Sequence, residues 1–549
     1  MSDDNFKNLP QVACEFIKLV IKKMCYRKKI RVDVQAELAA HFEDALKDCK
    51  TDEEKEKTTQ KLIEDFGDPK LLAVLMRRGK KRCRSLWRKV VAHSLQVLGG
   101  TIVLFVLYTL WFISGKANVK VDYLALVNEK QKSLKAIISD GDNAWLNYNK
   151  AVELYIEPKQ AISELIEEKG LFPYEKDLTQ EQKALITEWI KQNEPAWEQL
   201  NAGSRKPYYY FEMKYEDSNK EKALDQVPYP IHPFWRHMRT LWFWRISAAA
   251  EQENIKQATE DCLVQLRVSR HMAKDNTILV DHMMAGLSTR EALNAMLQIV
   301  STNKSAEQLR SLQERLSLIF PQGYPDLSFC IEVRRLLAMD AVQRVFTDGG
   351  PGGGHLITRK FWKAYVFDKS SLPFGLDIVS PYLLPMVHAG RDETIAKINE
   401  HLDYMAKDYQ MSSYQWREKG SMSADFALSL GKYRYFFIHH GPQSMRGRCD
   451  REFETKSQYE ATLTILAALR WNLDKGRYPD SLDELVSNGY LKKLPMDQYS
   501  DKPLVYKKTD DSFMLYSLGK DFDDDGGIHN KYWGIADESG DSVFWPIQK

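Results

Sequence analysis

The chain has little that would staple it or arm it. Its 549 residues include seven cysteines, Cys14, Cys25, Cys49, Cys83, Cys262, Cys330 and Cys449, and no two stand as CxxC. That argues against a zinc ribbon or a thioredoxin-type redox motif. Four precede the one long apolar run and three follow it, so at most one disulfide can form on the later side. Charge of one sign is missing too. Lys and Arg total 78 against 76 Asp and Glu, a net +2, which gives no general argument for nucleic acid or an acidic substrate. Alternating strand patterns are scarce before residue 500. What is present is the composition of folded protein, 44% hydrophobic and 28% charged, in a chain long enough for several domains. Thirteen Trp residues read first as core, because rings carry much of the burial energy.

Between Lys89 and Lys116 there is no Asp, Glu, Lys or Arg. The uncharged run Val90–Gly115 would reach roughly 39 Å as a helix, against a bilayer hydrocarbon core of about 30 Å. A buried soluble helix of that length would keep a polar stripe; in Leu95–Ile113 only Gln96 is strongly polar. Trp87, Tyr108 and Trp111 lie towards the ends, where rings favour the interface. The expectation is a transmembrane helix over 90–115. Arg77, Arg78, Lys80, Lys81, Arg82, Arg84, Arg88 and Lys89 crowd its front, with Lys116 and Lys120 behind. The positive-inside rule then puts the N-terminus in the cytoplasm and the C-terminal region outside the inner membrane. Anionic membrane lipid, not nucleic acid, is the expected partner of the basic run. A cleaved signal peptide does not fit a run starting so far in.

Residues 1–88 read as short helices. Leu9, Val12, Phe16, Leu19 and Val20 form one apolar face, and Val34, Leu38, Phe42, Ala45 and Leu46 another. Thr51 and Glu54 make a capping box, and Gly67-Asp68-Pro69 a helix stop and restart. His41 near Glu37 and Glu43 reads as a lone exposed histidine and not a metal ligand. The run ELAAHFEDAL followed by LIEDFGDPKLLA resembles the small helical HAAS domain and the related prefix of some bacterial permeases. That resemblance implies a cytoplasmic signalling or regulatory role.

Residues 121–445 read as an external, mainly helical domain, with helical spacing over Trp145–Ile156, Asp177–Gln192, Met238–Met272, Ser305–Ile319 and Arg391–Tyr409. No catalytic constellation is complete. Gly349–Gly354 has a phosphate-loop look but is followed by His355-Leu356 where Lys and Ser/Thr belong, so a flexible loop is expected. Ser429 and Lys432 share the SxxK spacing without SDN or KTG triplets. His271 and His282 sit near three helical turns apart, with no HExxH. The run HPFWRHMRTLWFWR (232–245) is read as an aromatic core whose arginines reach solvent.

From Ser457 the character changes. A helix carrying Leu463, Leu466, Ala467 and Trp471 ends at Gly476. Asp480-Ser481 then caps a short second helix. LVYKK, FMLYSLG and SVFWP follow as short strands, an α+β arrangement over 457–549. Asp521, Asp523 and Asp525 stand at alternate positions before Gly526-Gly527, a density of hard oxygen ligands that suits Ca²⁺. It is not an EF-hand, because the twelfth position is Tyr532. The order GRYPxSL, YLxxLPxD, YSLGxD, DGG and a late Asp resembles the globular domain of type II secretion major pseudopilins. The resemblance implies a structural calcium ion held by Asp521, Asp523 or Asp525, and Asp541, with Asp524, Asp537 and Glu538 as further candidates. No prepilin-peptidase site or assembly helix directly precedes this domain. The expected function is a non-catalytic, single-pass envelope protein that scaffolds or signals to an envelope or cytoplasmic protein partner. The alternatives are a component of a type II secretion or pilus-like assembly and an envelope hydrolase.

Overall fold

A computed structural model describes residues 6, 8–82, 86–133, 139–169, 178–215, 223–227, 231–273, 279–302, 305–327, 330–365, 384–440, 446–530 and 540–548. It is mainly helical, with one small antiparallel sheet, and divides into two units, Met1–Leu110 and Trp111–Lys549.

The first unit holds α1 (Gln11–Lys23), α2 (Lys28–Leu46), α3 (Asp52–Phe66) and α4 (Pro69–Arg82). Phe16, Ile17 and Val20 of α1 pack with Leu38 and Phe42 of α2 and Ala73 of α4, and Phe66 stacks on Phe16. Val12 and Leu19, expected inside, are exposed; Ala13, Ile17 and Ile21 fill the face instead. The capping box is present: Glu54 N–H donates to Thr51 Oγ1 and Thr51 N–H to Glu54, each at 3.3 Å. Gly67 ends α3 at φ +72°, Asp68 accepts from Lys70 N–H and Pro69 opens α4. His41 is exposed, its ring against Phe66.

Helix α5 (Leu86–Ser114) contains the one stretch of the described chain long and apolar enough to cross a membrane, Val90–Trp111, and none of its most apolar window is buried. Thr101 and Thr109 donate to the carbonyls of Val97 and Phe105, four residues back. Such bonds satisfy a hydroxyl inside the helix when no water is at hand.

The second unit begins with α6 (Tyr123–Ser133), α7 (Ala144–Leu154), α8 (Gln160–Lys169), α9 (Gln180–Gln192) and α10 (Glu194–Ser204). It continues with α11 (Ile231–Glu251), α12 (Ile255–Ala273), α13 (Leu279–Thr302), α14 (Ala306–Ile319), α15 (Cys330–Val345), α16 (Thr358–Tyr365) and α17 (Arg391–Asp408). Then come α18 (Ser413–Lys419), α19 (Met422–Ser429), α20 (Phe436–His440), α21 (Arg446–Lys475) and α22 (Leu482–Ser487). The run expected as one helix over 238–272 is two. Glu253 turns the backbone at φ +55°, and Asn254 restarts it by accepting from Gln257 N–H. Strands β1 (Val505–Lys508), β2 (Phe513–Ser517) and β3 (Ser542–Trp545) pair antiparallel in the order β1-β2-β3, with Lys508 opposite Phe513 and Ser517 opposite Ser542.

One continuous core joins the helical region to the sheet: Trp242, Leu263, Leu293 and Leu316 belong with Leu466, Leu515 and Phe544. Helix α21 starts eleven residues before 457 (446 against 457) and packs on α13 and α14. Gly476 stops it at φ +70°. Ser481 stands at the N-cap of α22 without a side-chain bond; Glu484 instead reaches back to Asp480 N–H. A second core gathers Val342, Phe346, Phe361, Leu402 and Phe437 around α15, α16, α17 and α20. Cys262 and Cys330 are both buried free thiols; Cys83 and the Cys449 side chain lie outside the described residues.

Candidate functional site

The acidic loop between β2 and β3 is the element in which the sequence placed its ligands. Gly526 and Gly527, at φ +77° and +95°, bend the chain back so that residues 528–530 run beside 541. Asp541 N–H donates to Ile528 O, and Asn530 N–H donates to Asp541 O. This brings Asp541 under the loop: its side chain is fully buried, and Oδ2 accepts from Gly527 N–H at 2.6 Å. Asp521 reaches the same end of the sheet, accepting from Gly540 N–H at 2.9 Å. Asp523 is exposed and accepts from Asp524 N–H. Asp524, listed only second by sequence, accepts from Tyr516 OH at 2.8 Å, which holds its carboxyl below the usual range. Asp537, Glu538 and Tyr532 lie outside the described residues.

Two oxygens here are buried without a hydrogen-bond partner, Asp525 Oδ2 and Asp541 Oδ1. Burial pushes the Asp541 carboxyl up to about 6, with the charges of Asp524 and Asp525 adding to it and the Gly527 N–H opposing. Among the described residues, no three His, Cys, Asp or Glu side chains gather into a metal-holding group. The donors nonetheless suit a hard cation: orphaned carboxylate oxygens in a loop without a regular ladder.

Of three buried histidines, His271 and His388 are held by core partners and His282 faces a cavity. His271 Nδ1 meets Tyr148 OH at 2.7 Å and Nε2 meets Lys206 O at 2.8 Å. His388 lies 2.8 Å from Ala389 O through Nδ1 and accepts from Phe437 N–H through Nε2. Both are held by backbone or core partners. His282 lines a small, partly open cavity of about 70 Å³ with Tyr324, Arg290, Glu452 and Thr455. Burial lowers His282 to about 4 and raises Glu452, despite its Lys456 partner at 2.7 Å, to about 7. Neighbouring Asp281 is raised to about 7 by burial as well. Sequence reasoning named His282, but Glu452 and Tyr324 are brought to it only by the fold. A larger open groove of about 1340 Å³ runs between α14 and α21, with Arg310, Glu314, Leu318, Leu463 and Tyr490 along it. Arg470 lies over the Tyr490 ring at 4.3 Å and donates to Gln313. No local motif marks this groove.

The other motifs resolve into architecture. Ser429 Oγ donates its proton to Phe426 O and not to Lys432. Trp242 and Trp244 are buried as expected, but Arg245 is buried rather than solvent-facing, bonded to Glu194 and Asp261; Arg239 is paired with Glu291. The side chains of Trp235 and Arg236 lie outside the described residues. Gly349–Gly354 is a mostly exposed turn closed by its own hydrogen bonds, Gly349 N–H to Gly353 O and Gly353 N–H to Gly350 O. Gly354 O accepts from Arg391 N–H, so a carbonyl occupies the start of α17 where a phosphate would sit. A Cβ on Gly354 would lie 2.2 Å from Thr347 O at φ +133°, whereas one on Gly349 meets nothing. Gly354→Ala is therefore expected to destabilise by about 2 kcal/mol or more, and Gly349→Ala by less, in thermal melts.

Comparison with family models, with curated proteins and with solved structures finds no match to this chain.

Proposed function

We propose that this chain is a single-pass membrane protein of the cell envelope. Residues 1–88 form a cytoplasmic HAAS-like domain, residues 90–115 span the inner membrane, and the 121–445 helical and 457–549 pseudopilin-like regions lie outside. The observation that carries this reading is the unburied apolar stretch Val90–Trp111 behind a run of basic residues. The external region acts by binding, not by catalysis. The open α14–α21 groove has mixed charges and an exposed Leu318, which suit a protein segment. The His282 cavity has the volume of about two waters, which is too small for a glycan or peptide and argues against a hydrolase centre there. Helix α21 buries Ile465, Leu466, Ala467 and Leu469 in the core shared with α13, α14 and the sheet, which speaks against its use as a pilus-like assembly helix. A structural calcium ion closes the acidic loop: the orphaned oxygens of Asp525 and Asp541 support this reading, and Asp521 and Asp523 of the same loop are the further ligands it calls for. Alkaline phosphatase fused after residue 549 is expected to be active, and a fluorescent protein that folds only in the cytosol to be dark there. The opposite pattern would sink the topology.

A further inference from the structure

We propose that the outward face of α4 lies on the cytoplasmic leaflet and binds anionic phospholipid. The inference rests on the membrane reading above and adds a docking surface to it.

Helix α4 has two faces. Leu72 and Ala73 are buried in the first unit's core, and Met76 packs against it. Leu71, Val74 and Leu75 are 58%, 38% and 54% exposed. Arg78 and Lys81, also exposed, continue the same stripe, because positions i, i+3, i+4, i+7 and i+10 share one side of a helix. Single exposed apolar residues are ordinary, but three adjoining ones mark a surface that another phase or partner covers.

The chain itself indicates which. The apolar stretch of α5 begins at Val90, so the link from Lys81 is at most about 30 Å even when fully extended. The C-terminal end of α4 is therefore tethered near the point of membrane entry. That end is cationic: Arg77, Arg78, Lys80 and Lys81 stand together, and of these Lys80 is paired with Glu37. An apolar stripe running into a basic end is the pattern of a helix lying in the headgroup plane, with lipid acyl chains below and phosphate beside the bases. The Lys80–Glu37 pair fixes α2 to the face of α4 turned away from the stripe, so the small domain would be held in one orientation on the surface.

The test uses the full chain in nanodiscs, with a photo-cross-linking phenylalanine analogue in place of Leu75 or, as control, of exposed Glu64 on α3. In discs rich in phosphatidylglycerol, lipid adducts are expected at position 75 and few at 64. Each basic residue contributes about fivefold to surface occupancy, so replacing Arg77, Arg78 and Lys81 together by Gln lowers the occupancy constant on the order of 100-fold. Pure phosphatidylcholine discs should act in the same direction. Equal adducts at 75 and 64, or adducts to protein alone, overturn the lipid surface while the chain remains in the disc. If alkaline carbonate strips the chain from membranes, the spanning helix fails and this inference falls with it.

Discussion

Asp541→Asn is expected to change the sign of its effect with calcium. Without calcium the substitution should stabilise the chain at pH 7.5 by about 2 kcal/mol, because it removes a buried, uncompensated charge. With calcium at a hundred times its dissociation constant, the native protein gains about 2.7 kcal/mol that the variant cannot, so the order inverts. The pH dependence separates the two states. An unfolded Asp titrates near 4, while Asp541 in the fold sits at about 6 because it is buried beside Asp524 and Asp525. In the ion-free fold the proton is held over that window, so stability falls as pH rises from about 4 through 6. A bound cation requires the carboxylate and pulls the folded value down, so stability is then lost as pH falls. Thermal melts at pH 5 and 7.5, in calcium and in chelator, give four numbers for each protein. A native melt indifferent to calcium at pH 7.5 would remove the ion from the acidic loop.

Much of the local architecture was legible because its causes are local. Thr51 and Glu54 lie three residues apart, and the box between them needs nothing else. Gly67-Asp68-Pro69 and Gly476 stop helices by backbone conformation alone. The three strands fall where β-branched and aromatic residues cluster between Asp- and Gly-rich turns. What escaped sequence reading depends on partners far along the chain. The helical spacing begun by Met238, Leu241 and Trp242 reappears beyond Glu253, and the three-residue break, Gln252, Glu253 and Asn254, carries no Gly or Pro to mark it. Val12 fits a helical stripe with Phe16 as well as Ala13 fits one with Ile17, and only the position of α2 decides between them. Glu452 lines the same cavity as His282 across a separation of 170 residues (452 − 282), so no spacing rule could have brought them together. In the acidic loop the residue types were readable, yet the buried oxygens belong to Asp525 and Asp541 and not to Asp523, a distinction made by Gly526 and Gly527 turning the chain.

Arg245→Met is expected to destabilise the second unit by about 3–5 kcal/mol, because it leaves a buried acid without its cation. Arg245 lies 4.7 Å over the Trp197 ring, donates to Asp261 at 3.3 Å and reaches Glu194. Asp261 is almost completely buried, and burial already raises its carboxyl while Arg245 is the largest influence pulling it down. Without the guanidinium, the folded value climbs further above that of the unfolded chain. The folded variant then retains a proton that the unfolded chain releases, so its stability falls as pH rises from about 4 through the raised folded value. Its deficit should therefore be larger at pH 8 than at pH 5. Adding Asp261→Asn removes the stranded charge and should recover much of the loss, since Gln257 can still bond at that position. Trp197 and Trp242 border the site, so tryptophan fluorescence reports its melting directly. A deficit independent of pH, with no recovery in the double variant, would mean that Arg245 acts by packing over Trp197 and that its pairing with Asp261 is incidental.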